Sequence, residues 1–306
     1  MAFQYSPVVV KKNITTKLPI RIISKPNTTK LIPIKKQSTT TIIKQIAAKP
    51  KASLTPSVLI RNKSVGEIKR PKSVKFITSN VTGESLNKIN SLRGVGKDKI
   101  LVIVGNGPSL LEIPTNELRN NDKIDIMSIN KPDDRLWPTT YWVFFDATQL
   151  RRHEIMWNDY NGYIFNSTSI KARKNKSIQV KNLHGKGFSK DLTIGLHIGR
   201  SSVYAAMQIA LWLDYKHIYI VGVDMNPSGG KDGRLHFYGV SPDVKPEIRA
   251  SRFEKEAEHY QHAAENLDES IRKRYTFCSS YLQWPFAKHF NIIDHADAVK
   301  EILAAI

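Results

Sequence analysis

From Met1 to Gly66 the chain carries no acidic residue, and between Tyr5 and Phe76 it carries no aromatic one. A segment without aromatic side chains has little to offset the entropy of ordering it, so it is not expected to fold alone. Cysteine is almost missing as well. Cys278 is the single one in 306 residues, which excludes an internal disulfide, and no CxxC or Cys/His cluster offers a structural zinc site. No apolar run approaches the ~20 residues of a membrane helix. The longest, Ile100 to Val104 and Ile218 to Val223, have the length of strands. Only Val8 to Val10 precede Lys11 and Lys12, the wrong order and length for a secretory signal. No membrane span and a cytoplasmic location are therefore expected.

Positive charge is abundant. The chain has 47 Lys+Arg and 27 Asp+Glu, a net charge of +20. Residues 1–100 hold 21 basic and 3 acidic side chains, an excess of +18, which leaves 26 basic and 24 acidic, or +2, for the rest. This reads as a basic, extended or disordered N-terminal arm, residues 1–95, on a nearly neutral body, residues 96–306. Seven prolines from Pro7 to Pro71 rule out a long helix in the arm. Thr15 to Arg21 recurs as Thr28 to Lys35, but two imperfect copies make no solenoid. Lysines along an extended chain can follow phosphates by counterion release, so nucleic acid or another polyanion is the expected partner. The missing aromatics argue against base stacking. A solvated tail, or an arm that adds strands to other subunits of an assembly, remains open.

The body alternates short β-branched runs with helical stretches, the pattern of an α/β, Rossmann-like domain with a mainly parallel sheet covered by helices. Strands are expected at Ile100–Val104, Ile124–Ile129, Tyr141–Phe145, Tyr163–Phe165, His217–Val223 and Tyr275–Cys278. Ser202–Leu213 is apolar on nearly every side and reads as a buried helix. Ser251–Arg274 keeps an apolar stripe at alternating spacings of three and four, with Ser251 and Glu254 spaced as a capping box. His259 and His262 fall off that stripe and read as solvated. Asp294–Ile306 reads as a closing helix.

The first strand runs into Gly105-Asn106-Gly107-Pro108-Ser109. Two glycines permit close backbone approach, proline suits a first helical turn, and free N–H groups at a helix start attract phosphate. A dinucleotide fingerprint would need a third glycine where Leu110 stands and an acid where Asn130 follows the second strand. A P-loop would need Gly-Lys-Ser/Thr, which is missing. Bare Gly-x-Gly spacing also fits a tight turn.

The blocks Val102 to Leu110, Ser128-Ile129-Asn130, Trp142 to Asp146, Gly199 to Tyr204 and Ile218 to Asp224 resemble two related groups. One is the bacterial α-2,3-sialyltransferases. The other is the 6-hydroxymethylpterin diphosphokinase-like family, with phage and bacterial members of lipopolysaccharide-core or glycosyltransferase-like type. The likeness continues through Leu235 to Gly239 and covers most of residues 99–300, but none of the arm. It implies a nucleotide-sugar-dependent glycosyltransferase, with CMP- or another NDP-sugar as donor, in a host cytoplasm or virion if phage-encoded. It also implies that Gly105, Asn106, Gly107, Pro108 and Ser109 lie near the phosphates, Asn130 near the nucleoside, and Ser201 and Ser202 at a second helix start facing the same ligand. Arg200 adds charge there. Asp146 and Asp224 each end an expected strand, where open parallel sheets place their crevice; the alternative for both is a helix cap or turn. His236, after a loop with Gly229, Gly230 and Gly233, is the candidate general base, with Asp224 beside it as the second catalytic candidate. Met225 and Asn226 stand where the sialyltransferases carry tyrosine, which weighs against CMP-sialic acid. No Asp-x-Asp motif is present, so no metal is expected. Two rival functions are an assembly protein with an inactive fold of this type, and a diphosphokinase for which Asp146 and Asp224 would be the metal ligands.

Overall fold

The computed structural model describes residues 81–153, 156, 159–170, 177–239 and 245–306. The expectations for the arm up to residue 80 lie outside the described residues. Eight strands form one sheet: β1 (Ile100–Val104), β2 (Ile124–Ile129), β3 (Tyr141–Val143), β4 (Tyr163–Ser167), β5 (Ser177–Val180), β6 (His217–Val221), β7 (Tyr275–Cys278) and β8 (Asn291–Ile293). Their order is β5-β4-β3-β2-β1-β6-β7-β8, and every pairing is parallel. The expected α/β class is the one found. From β1 the chain steps outward strand by strand to β5, then returns to the other side of β1 as β6. The reversal puts the topological switch point between β1 and β6, where open α/β sheets place their ligand crevice at the strands' C-terminal ends.

The central strands are buried on both faces, which is why they read as unbroken apolar runs. Leu101, Ile103, Met127, Ile129, Ile218 and Ile220 pack on one face with α3 (Ser202–Trp212) and α4 (Pro246–Asn266). Ile100, Val102, Val104, Ile124 and Ile126 pack on the other with the closing helix α6 (Ala298–Ala304). Because α3 is covered all round, nine of its eleven residues are buried. Its strongly apolar circumference foretold this.

Three expectations change. The arm's expected boundary at residue 95 falls after a helix that belongs to the body. In α1 (Gly83–Ser91), Thr82 caps the first turn by accepting from the Ser85 N–H at 3.2 Å. Ile89 and Leu92 are buried, the Trp212 indole donates to the Ile89 carbonyl at 2.8 Å, and the Gln179 N–H donates to Ser85 Oγ at 3.1 Å. Second, α4 starts at Pro246, so Ser251 lies inside the helix and forms no capping box with Glu254. It stops at Asn266, whose side-chain amide bonds the His262 carbonyl at 2.8 Å; Leu267 turns extended, and α5 (Glu269–Arg272) is a separate turn. Third, the closing helix begins as a 3-10 turn, His295–Asp297, whose start Asp294 caps by accepting from the Ala296 N–H. Among the described residues no helix is long and apolar enough to cross a membrane.

Candidate functional site

The Gly105–Ser109 loop leaves β1 directly at the switch point. Its glycines serve the neighbouring strand. The Gly105 N–H donates to the Val221 carbonyl at 2.8 Å and the Gly107 N–H to the Gly222 carbonyl at 2.6 Å. A Cβ on Gly105 would lie 2.4 Å from the Gly222 carbonyl oxygen, and one on Gly107 would lie 2.5 Å from Asp224 Oδ2. Asp224, 3% exposed, accepts from the Ser109 N–H and from Ser279 Oγ, each at 2.9 Å. The helix opened by Pro108 is a 3-10 segment of five residues, Pro108–Glu112. Proline brings no N–H, Ser109 donates to Asp224, and Leu110 donates to the Gly107 carbonyl. The loop's donors are thus largely used within the protein. Asp224 is a buried cap acceptor instead of an exposed catalytic carboxylate, which corrects the role expected for it.

Asn106 points the other way and knits three loops together. Its side-chain amide donates to the Lys131 carbonyl at 2.8 Å, while its own carbonyl accepts from the Phe237 N–H at 3.0 Å. This seats the 229–239 loop, with His236, against the end of β1. The His236 ring stacks on Tyr238, centroids 5.0 Å apart and 11° from coplanar. Burial holds its pKa below the usual imidazole range, against a smaller upward pull from the Asn106 backbone. A neutral imidazole at pH 7 is the form a general base requires. Lys131 lays its ammonium over Phe237 and Tyr238, 5.1 and 5.5 Å from their centroids.

Asn130 closes β2 with a left-handed backbone, φ 54°, a conformation asparagine tolerates better than most residues. Its N–H bonds the Val143 carbonyl, its carbonyl accepts from the Trp142 indole at 2.8 Å, and its Oδ1 accepts from Ser202 Oγ at 3.3 Å. The start of α3 therefore meets the end of β2. Ser201 is the N-cap of α3, yet its side chain makes no cap bond to the first-turn N–H groups. Gly199 and Arg200, both at positive φ, bend the chain into this start. Ser128 near the end of β2 and Ser109 in the 3-10 segment after β1 each bury a hydroxyl with no partner among the described residues.

Two expected site residues stand apart. Asp146 is exposed and caps α2 (Ala147–Arg152), accepting from the Thr148 N–H at 2.9 Å and Oγ1 at 2.6 Å, so the helix-cap alternative describes it. Those two bonds hold its carboxyl below the usual range. Arg200 is exposed, and its charge acts on Glu258 and His259 of α4. His259 is half-buried beside Tyr204, ring centroids 6.0 Å apart, and not simply solvated. Asp146 and Asp224 follow β3 and β6, three strand spacings apart, roughly 14 Å.

Sequence reading missed Lys131, Tyr238 and Glu256. Lys131 and Tyr238 are near neighbours of Asn130 and His236, and only the fold shows them facing each other. Glu256 lies on α4, half-buried and one turn from Tyr260, and burial pushes its carboxyl up to about 7 while Ser201 draws it back. Searches of family models, curated proteins and solved structures return no match to this chain. The family likeness accordingly rests on its motif residues.

Proposed function

We propose that the crevice over the ends of β1 and β2 holds a nucleotide sugar and that the protein is a metal-independent glycosyltransferase, with its basic arm docking on nucleic acid or another polyanion. The observation that carries this reading is the Ser202–Asn130 contact. It brings an uncapped helix start, which favours phosphate, to the strand end where a nucleoside would lie, next to the switch point. In this reading the phosphates meet the first turn of α3 and not the Gly105–Ser109 loop. Asn130 and Asn106 line the nucleoside side, and the stacked His236–Tyr238 pair borders the acceptor side, with His236 taking the acceptor hydroxyl's proton.

The assembly-protein reading draws on the Ser109–Asp224 and Gly107–Gly222 bonds, which use loop donors that a phosphate would otherwise meet. The diphosphokinase reading is weakened, because Asp146 and Asp224 cap separate elements. Titration calorimetry of residues 81–306 with CMP, UDP, GDP and ATP tests the choice. Binding that Asn130→Ala and Ser202→Ala weaken supports the transferase; no binding to any of the four favours assembly.

A further inference from the structure

One strand over from the switch point, between the ends of β6 and β7, lies a cavity of about 360 Å³ apart from the Asn130–Ser202 junction. Its size is that of a small-molecule cleft, about 300–1,000 Å³. The segment after β6 supplies Met225, Asn226 and Pro227, and the segment after β7 supplies Tyr281, Gln283 and Trp284. The Trp284 indole donates to the Met225 carbonyl at 3.1 Å, which ties the two walls together. Met225 is buried at φ 48°, a left-handed backbone uncommon outside glycine, and such outliers collect at ligand sites. Tyr281 is fixed as well. Its ring stacks on His295, centroids 5.6 Å apart, and its hydroxyl donates to Glu112 at 3.4 Å.

None of the six residues is charged, so they offer no counter-ion to a phosphate, a carboxylate or an amine. The Asn226 amide is spent on its own turn, donating to the Gly229 carbonyl at 2.8 Å and accepting from the Ser228 N–H at 3.0 Å. Gln283 is exposed and makes no hydrogen bond among the described residues, so its amide can both donate and accept. Two aromatic rings and one free amide, without charge, match a ligand that has an apolar face and a hydroxyl-bearing edge. A neutral sugar has both. Its C–H face packs on the rings, and its hydroxyls bond the amide.

We propose that this cavity binds a neutral sugar and, resting on the transferase reading above, that this sugar is the acceptor. The loop that carries His236 sets out from the cavity wall at Asn226 and Pro227. Lys231 pins it by pairing at 2.9 Å with Glu112, the carboxylate that Tyr281 also reaches. Its far end bonds the Asn106 carbonyl beside β1, through the Phe237 N–H. One loop thus runs from the acceptor cavity to the nucleotide end of the crevice. In transfer the acceptor oxygen bonds the donor's anomeric carbon, and the bond from that carbon to the phosphate oxygen breaks. The electron pair leaves on the nucleotide, and the acceptor's proton passes to His236.

The test titrates the full chain, without nucleotide, with glucose, galactose and N-acetylglucosamine, and then with glucuronic acid, cytidine and adenosine. It follows the Trp284 indole N–H resonance, assigned by its loss in Trp284→Phe. One of the three neutral sugars should shift that resonance saturably at millimolar concentration, and Gln283→Ala, an exposed change, should weaken it about fivefold. No shift with any of the three, an equal shift with glucuronic acid or a nucleoside, or an affinity that Gln283→Ala leaves unchanged overturns the proposal. Sugar binding by a chain that binds none of CMP, UDP, GDP and ATP overturns the acceptor role together with the transferase reading. Nucleotide binding without sugar binding overturns the cavity's role and leaves the nucleotide reading standing.

Discussion

Asp224 Oδ2 accepts the Ser109 backbone N–H at 2.9 Å, so a carboxylate carried by the segment after β6 ends at the helix start that a nucleotide phosphate would otherwise claim. Gly107 makes room for it, because a Cβ there would sit 2.5 Å from the same oxygen. The clasp joins the two strands that flank the switch point. It also moves the phosphate end of the proposed site to α3.

Gly107→Val should therefore damage the fold before it damages any ligand contact. The extra side chain must displace Asp224 or the Gly222 carbonyl, which costs about 2–4 kcal/mol. Asp224→Asn retains shape but sets an amide against one of its two donors, at about 1–3 kcal/mol. Chemical denaturation of both variants reads this directly. Wild-type stability in each would show that the clasp contributes nothing.

Stability should respond to pH through Glu256. Its folded-state pKa, near 7, lies above the ordinary carboxylate value, so the wild type loses stability as pH rises from about 4.5 through 7 and levels off above. Glu256→Gln has no such loss, and should gain about 1–2 kcal/mol on wild type between pH 5 and pH 8, after allowance for its partial exposure. Parallel unfolding curves at the two pH values would contradict it.

At the other end of the sheet, Asp125 is buried and accepts from the Tyr215 hydroxyl, Lys99 Nζ at 3.2 Å and Thr140 Oγ1 at 3.3 Å. Burial drives the Tyr215 hydroxyl far above its usual pKa, so it acts as a donor at any working pH. Asp125→Ala leaves that hydroxyl only its 3.1 Å bond to the Tyr141 hydroxyl and should cost about 1–3 kcal/mol without altering nucleotide affinity. A changed affinity at equal folding would couple the two ends of the sheet.

The full chain and a version starting at residue 81 should differ on nucleic acid. Residues 1–80 carry 17 basic side chains and one acid, Glu67, so duplex binding should require them and fall steeply as salt rises. Equal, salt-insensitive binding by both proteins would remove the polyanion role.

How legible all this was depended on how local each signal is. Runs such as Ile100–Val104 and the apolar helix at Ser202 announce themselves, because burial on all sides needs no partner to be read. Ser177–Val180 and Asn291–Ile293 were not expected as strands: they are short edge strands whose pairing comes from β4 and β7. Helix α1 hid in a segment read as part of the basic arm, and what ties it to the body, buried Ser85, Ile89 and Leu92, is too sparse to read as an apolar stripe. Asn106, Asn130, Ser202 and His236 were named from their motifs, and the fold links Asn106 with the His236 loop and Asn130 with Ser202. The partner of Asp224 lies 115 positions away, which no spacing rule reaches.

The central claim is that the start of α3 and the end of β2 share one nucleotide. A double-mutant cycle on Asn130→Ala and Ser202→Ala, read as nucleotide affinity by calorimetry on folded protein, tests it most directly. The account predicts that wild type binds one of CMP, UDP, GDP or ATP, that each single change weakens binding, and that the two losses are not additive, with about 0.5–3 kcal/mol of coupling. Binding that neither change affects, or no binding at all by the folded wild type, would contradict it.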